Sequence, residues 1–210
     1  MCSWLDSERE DEFLNKPHIN VYSGADYFSG QNLDKLHSET PLAQFDETKK
    51  ISSGASHYEE AGSIILANHP YILYAAQSLG NKIPIGFTQF SILIQYFEFD
   101  KSIRVGCLLD KIYVADVYKG QHVGAALVLA TSEVIQRHCS EVISQCKLMS
   151  DSCPSVEGAE LYLYAELHSE GGESMVQLLN SLLEVFMDDY NDEHEGKGIK
   201  LKEVELDAGF

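Results

Sequence analysis

Positive charge is what this 210-residue chain has least of. Lys and Arg number 15 against 33 Asp and Glu, for a formal net charge of -18. That balance repels phosphate backbones and anionic lipid surfaces, so neither nucleic acid nor membrane is expected as a partner. It favours cationic partners: a small amine-bearing molecule or a basic peptide. Paired cysteines are lacking too. Cys2, Cys107, Cys139, Cys146 and Cys153 are odd in number and contain no CxxC pair. This excludes a disulfide framework, points to a reducing compartment and offers no zinc-ligand spacing, so no metal is expected. No apolar run reaches the length of a membrane span. The richest, Ile83 to Phe99, is broken by Pro84, Gln89, Gln95 and Glu98. The N-terminus, MCSWLDSEREDEF, has no apolar core of the signal-peptide kind, and residues 1–17 read as a frayed charged segment. A cytoplasmic protein is the expectation, and a homodimer is compatible with it.

What is present is a foldable core. Hydrophobic residues make up 44% and aromatics 10%, enough for one domain over residues 18–210. His18–Tyr22 reads as a short strand, with helical fragments at Asn32–His37 and Pro41–Lys49. Tyr58–Ala67 reads as a helix closed by Pro70. Tyr71–Ser78 and Ile83–Phe97 read as a hairpin turning at Leu79–Lys82, and Ile103–Ala115 as a third strand after a turn at Asp100–Ser102. The period then changes. Val123, Leu127, Ala130 and Val134 recur at helical spacing, and the helix extends toward Met149. Residues 150–159 read as a loop and Glu160–His168 as a strand. Gly171 and Gly172 separate that strand from a helix over Glu173–Tyr190. Ile199–Leu206 closes the chain as a strand. The order predicts an α+β fold, a mixed and largely antiparallel central sheet flanked by helices.

One junction carries chemistry. IYVADVYKGQHVGAAL, Ile112 to Leu127, is a strand, a turn and a helix start. A helix start presents unpaired N–H groups that bind anions, and Gly120, Gly124, Ala125 and Ala126 leave room for a phosphate to approach. Lys119 adds a positive charge. The competing reading is an ordinary strand-to-helix turn whose small residues pack on the sheet.

The same stretch resembles the acyl-CoA-binding segment of the GNAT-superfamily N-acetyltransferases. Ile112 and Val114 fill hydrophobic strand positions. Tyr118, Lys119 and Gly120 stand where Tyr-Arg-Gly is usual. Val123, Gly124 and Leu127 fill the positions that follow. Asp116 departs from a common proline, and His122 from the usual middle glycine. The resemblance implies a GNAT-like domain binding acetyl-CoA as acyl donor. Backbone at Ile112, Tyr113 and Val114 would pair with the pantetheine arm. The amides of Lys119, Gly120, Gln121, His122, Val123, Gly124 and Ala125 would cradle the pyrophosphate. An N–H near Val114 would polarise the thioester where Ile103–Ala115 splays from Glu160–His168.

Direct transfer to an amine needs a base, and an acid for the leaving thiolate. Asp110 is the first base candidate, since strand alternation places it with Leu108, Ile112 and Val114 on a face whose burial would raise its pKa. Leu108 stands where some relatives carry a catalytic Glu. His168 is a second base or shuttle, and Glu166 a candidate to hold a cationic acceptor. The helix tyrosine that relatives use as acid has no counterpart before Tyr190, which is the candidate left. The acceptor is expected between residues 26–70 and the loops at Leu79–Lys82 and 150–159. Two alternatives stand beside the enzyme: a non-catalytic acyl-CoA-binding or acidic protein-interaction module of the same fold, and an acidic protein that covers basic nucleic-acid-binding surfaces.

Overall fold

The computed structural model describes residues 19–39, 62–77, 82–148, 156–166, 170–195 and 199–209. Six strands form one sheet in the order β1-β2-β3-β4-β5-β6: Ile19–Ser23, Ser63–Gln77, Pro84–Phe97, Ser102–Val114, Gly158–Glu166 and Lys200–Gly209. Pairing is antiparallel from β1 through β4 and parallel across β4-β5 and β5-β6. Helix α1 (Gly30–Ser38) follows β1, α2 (Val123–Leu148) follows β4, and α3 (Glu170–Glu193) follows β5. The fold is α+β, a mixed and largely antiparallel sheet with helices on it, as the sequence predicts.

The parallel strands dictate where α2 and α3 go. Each is a crossover between neighbouring parallel strands, and both crossovers step in the same direction, so both helices lie on one face. There Val123, Leu127, Val128, Ile135 and Cys139 of α2 and Val176, Leu179 and Leu183 of α3 share one core with Val105, Cys107, Leu161 and Leu163. The other face is covered near β1–β3 by α1, whose Leu33 and Leu36 pack with Tyr74, Phe87 and Ala115. The α3-to-β6 return is fixed by Asn191. Its Nδ2 donates to the Leu201 carbonyl at 2.8 Å, and its Oδ1 accepts from the Leu201 N–H at 3.0 Å.

Three local expectations are corrected. The helix read at Tyr58–Ala67 is strand from Ser63 onward, and residues 58–61 lie outside the described residues. The β-branched run Ser63–Ala67 pairs with the end of β3, and Pro70 does not stop it. The Gly24 N–H donates to the Ile72 carbonyl, so Ile72 and, two residues back, Pro70 turn their backbone groups to the β1 side. Pro70 lies beyond the end of β1 there, where its missing N–H costs no ladder bond. Gly171 and Gly172 do not separate β5 from α3; they lie in its first turn. The reading of Pro41–Lys49, most of the 150–159 loop and most of the Leu79–Lys82 turn fall outside the described residues.

Candidate functional site

Strand β4 contains one residue too many. Leu109 pairs with Phe90 and Lys111 with Gln89, which leaves Asp110 as the extra residue of a β-bulge. The bulge resets the alternation. Leu108 packs with Leu93 on the face away from α2, while Leu109, Ile112 and Val114 all pack toward the α2–α3 core. Asp110 itself is exposed. The expectation of a shared face with Leu108, Ile112 and Val114 is therefore overturned, and so is the burial that was to raise the Asp110 pKa.

The bulge sits where β4 loses its neighbour. Pairing with β5 ends at Leu109 and Ala165, yet β4 runs on to Val114. The Ala115 N–H donates to the Ile85 carbonyl at 3.0 Å, so backbone groups at Ala115 and Tyr113 face β3. Alternation then turns the N–H and C=O of Ile112 and Val114 the other way, past the end of the β4-β5 ladder. Among the described residues these backbone positions have no partner strand, and an extended ligand pairs with positions of this kind.

The turn follows directly. A short 3-10 helix covers Asp116–Tyr118, with the Tyr118 N–H on the Ala115 carbonyl and the Lys119 N–H on the Asp116 carbonyl. Gly120 has φ +78 and open space where a Cβ would stand. His122 has φ +61, a left-handed backbone that favours glycine and tolerates His better than most residues. The Ala126 N–H donates to the His122 carbonyl, which makes His122 the cap. The N–H groups of His122, Val123, Gly124 and Ala125 thus have no acceptor within the helix. Lys119 does not stand free above them. Its Nζ is 2.6 Å from Asp116 Oδ1, and this pairing raises the Lys119 pKa. The residue in the usual proline position so offsets the charge of the residue in the usual arginine position.

Two glycines that read alike act differently. A Cβ on Gly124 would lie 2.9 Å from Met175 Sδ, so this glycine seats α3 against α2, as the packing reading requires. Gly120 supplies backbone freedom and clearance. Gly86 was missed. A Cβ there would lie 2.7 Å from the Tyr113 carbonyl and 3.2 Å from Val123 Cγ1, so its absence lets β4 and the start of α2 close on β3. An isolated glycine inside a β-branched strand was the available signal. Tyr113 is anchored by its hydroxyl, which donates to the Glu39 carbonyl at 3.0 Å. Its pKa is raised, first by burial and then by Asp116 and Glu39.

The other candidates do not converge here. Tyr190 meets Lys147, whose Nζ donates to its hydroxyl at 3.3 Å, and its ring stacks on His194. Met175 lies at the start of α2 and Tyr190 at its end, so the two helices run side by side in parallel. Tyr190 is therefore about 35 Å from the turn along the α2 axis, and it is no acid for this site. His168 lies outside the described residues, and β5 ends at Glu166. No helix among the described residues is long and apolar enough to cross a membrane.

No protein-family model matches the sequence, and no curated protein matches it. Among solved structures, the chain is similar to an aminoglycoside acetyltransferase from an uncultured soil metagenomic sample, at 12% identity, 78% of this chain, 86% of that one and a TM-score of 0.37. It is similar to a transcriptional regulator from Bacillus halodurans C-125 at 11%, 79%, 91% and 0.39. It is similar to a nourseothricin acetyltransferase at 11%, 57%, 67% and 0.25. These likenesses concern the layout of strands and helices and carry no argument about activity.

Proposed function

We propose that the chain is a GNAT-type N-acetyltransferase, which moves the acetyl group of acetyl-CoA directly to the primary amine of a cationic acceptor. The observation that supports this best is two sets of backbone groups, on either side of the 3-10 turn, that meet no partner among the described residues. They are those of Ile112 and Val114 beyond the end of the β4-β5 ladder and the N–H groups at His122–Ala125, which have no acceptor within α2. An acyl-CoA has the matching parts in the matching order. Its amide-bearing pantetheine arm pairs with β4 as an added strand, and its pyrophosphate takes the helix start.

In this reading the amine attacks the thioester carbonyl, the carbonyl oxygen charges, and the C–S bond breaks to release CoA thiolate. The N–H of Val114 is the donor offered to that oxygen. Asp110, exposed on the bulge at the mouth of the gap, is the carboxylate offered as base, taking the ammonium proton through water. His168 stays a candidate on the β5 side. The acceptor is a small cationic molecule or basic peptide, drawn by the -18 charge.

The second reading is a fold of the same kind that binds acyl-CoA or a basic protein without turnover. The remoteness of Tyr190 and the pairing of Lys119 with Asp116 favour it. Calorimetric titration with acetyl-CoA, with Lys119→Glu as control, separates the outcomes. Lys119 is well exposed, so the variant keeps the fold and sets two carboxylates beside the pyrophosphate position. Binding that weakens at least about tenfold in the variant supports the cradle, and an amine screen for released thiol then decides between enzyme and module. Absence of binding to folded wild type overturns both acyl-CoA readings.

A further inference from the structure

On the face that carries α2, away from the turn, three titratable side chains meet. The Tyr71 hydroxyl of β2 lies 2.5 Å from His138 Nε2 of α2. The His69 ring, two residues back on β2, stacks on the His138 ring at 5.2 Å with an interplanar angle of 19°. Tyr71 in turn stacks on Phe90 of β3. Stacked imidazoles hold their lone pairs side by side, so the pair is not built to close on a metal ion. It is built to sense protons.

We propose that His69, Tyr71 and His138 form a proton-operated latch, which holds the outer half of β2 to helix α2 when neutral and releases it on acidification.

The strand is arranged for local opening. β1 pairs with β2 only over Leu73–Gln77. From Ser63 to Pro70 all residues but Ser63 and Ala67 are exposed, and Leu66 is an extra residue that bulges the ladder to β3. A segment with so little buried apolar surface opens at low cost. The groups facing His138 have been given roles by position. From β2 come His69 and the neutral Tyr71. From α2 itself come Arg137, which opposes a charge on His138, and Glu141, which favours one. β3 offers the uncharged Phe90, and the β1 residues that reach this core, Ile19 and Val21, are apolar. The Tyr71 oxygen can turn to accept from a protonated ring, so the hydrogen bond alone does not set the switch. The charge does: a half-buried imidazolium stacked on a second imidazolium.

Burial first, and then His69, lowers the His138 pKa. A base with a lowered folded pKa stabilises the closed form fully above its unfolded value of about 6.5, and that stability is lost as pH falls through the folded value. The test is amide hydrogen exchange between about pH 7.5 and 5.0, corrected for the intrinsic pH dependence of exchange. Protection in Ser63–Ile72 is expected to fall about tenfold or more, while protection in Gly158–Glu166 holds. His138→Gln, which keeps an acceptor for Tyr71 but cannot charge, should lose the fall. If that variant fails to fold, His69→Gln serves, with the fall made smaller, because a neighbour whose charge lowers the His138 pKa is gone. No local fall in the wild type, an equal fall in Gly158–Glu166, or an undiminished fall in the folded variant overturns the latch.

Discussion

His122 holds a left-handed backbone, φ +61, with its side chain exposed. An L-residue is strained there by about 1–2 kcal/mol, and glycine is not. Glycine gives back part of that through its freer unfolded chain. His122→Gly should therefore raise the unfolding free energy by about 0.5–1 kcal/mol in urea titration. The residue scale is also where sequence reading was weakest. The GNAT-like segment could be aligned letter by letter, and the need for a glycine-like backbone at position 122 was implicit in it. That Lys119 spends its charge on Asp116 was not implicit, since an i,i+3 ion pair depends on the turn between them. Tyr190 was the tyrosine left once Glu173–Met187 offered none, and nothing in the sequence says that it meets Lys147 at the far end of α2.

At the scale of elements, the sequence was legible wherever period and length agreed. The start of helix α2 was read from its apolar stripe at Val123, Leu127, Ala130 and Val134, while its second half, to Leu148, was legible only in part because Ser and Cys interrupt the pattern from residue 139 onward. The strands β3 and β4 were plain. Strand β2 was not. Its start, SIILA, alternates poorly because both of its faces are largely exposed there, and its proline carries the signature of a stop. Only the position of β1 shows that Pro70 is harmless. The bulge at Asp110 was invisible for a related reason: a single extra residue leaves no mark on composition, yet it reverses every face assignment after it. The packing between elements yields its own test. Gly86→Ala puts a methyl 2.7 Å from the Tyr113 carbonyl, so β3 and β4 must part. Destabilisation of about 1–3 kcal/mol is expected in urea. Acetyl-CoA affinity should fall in calorimetry as well, since Ile112 and Val114 move with the strand.

For the whole molecule, charge and edges decide behaviour. A net charge of -18 repels itself in the compact state, and salt screens that repulsion. Raising salt from about 0.05 to 0.5 M should increase the urea midpoint, and should weaken encounter with a cationic acceptor over the same range. Stopped-flow binding of a basic peptide checks the second, with an association rate expected to drop steeply. The edges left without a partner strand among the described residues are guarded differently. β6 carries Lys200, Lys202, Glu205 and Asp207, whereas Ser63–Ile72 on β2 has no charged residue and relies on Pro70 and the bulge at Leu66.

Asp110 shows how a residue matters by being counted. Whatever its carboxylate does, its presence delays β4 by one step. Deleting it would join Leu109 to Lys111 and restore an unbroken ladder to β3, while Ile112, Tyr113 and Val114 keep their partners and their faces. What would go is the local bend and added twist of the bulged strand. A substitution there can be silent in shape. A one-residue insertion or deletion elsewhere along β4 cannot be, because it turns every face on one side of the change, so such changes in related chains should be far rarer than replacements at this one position.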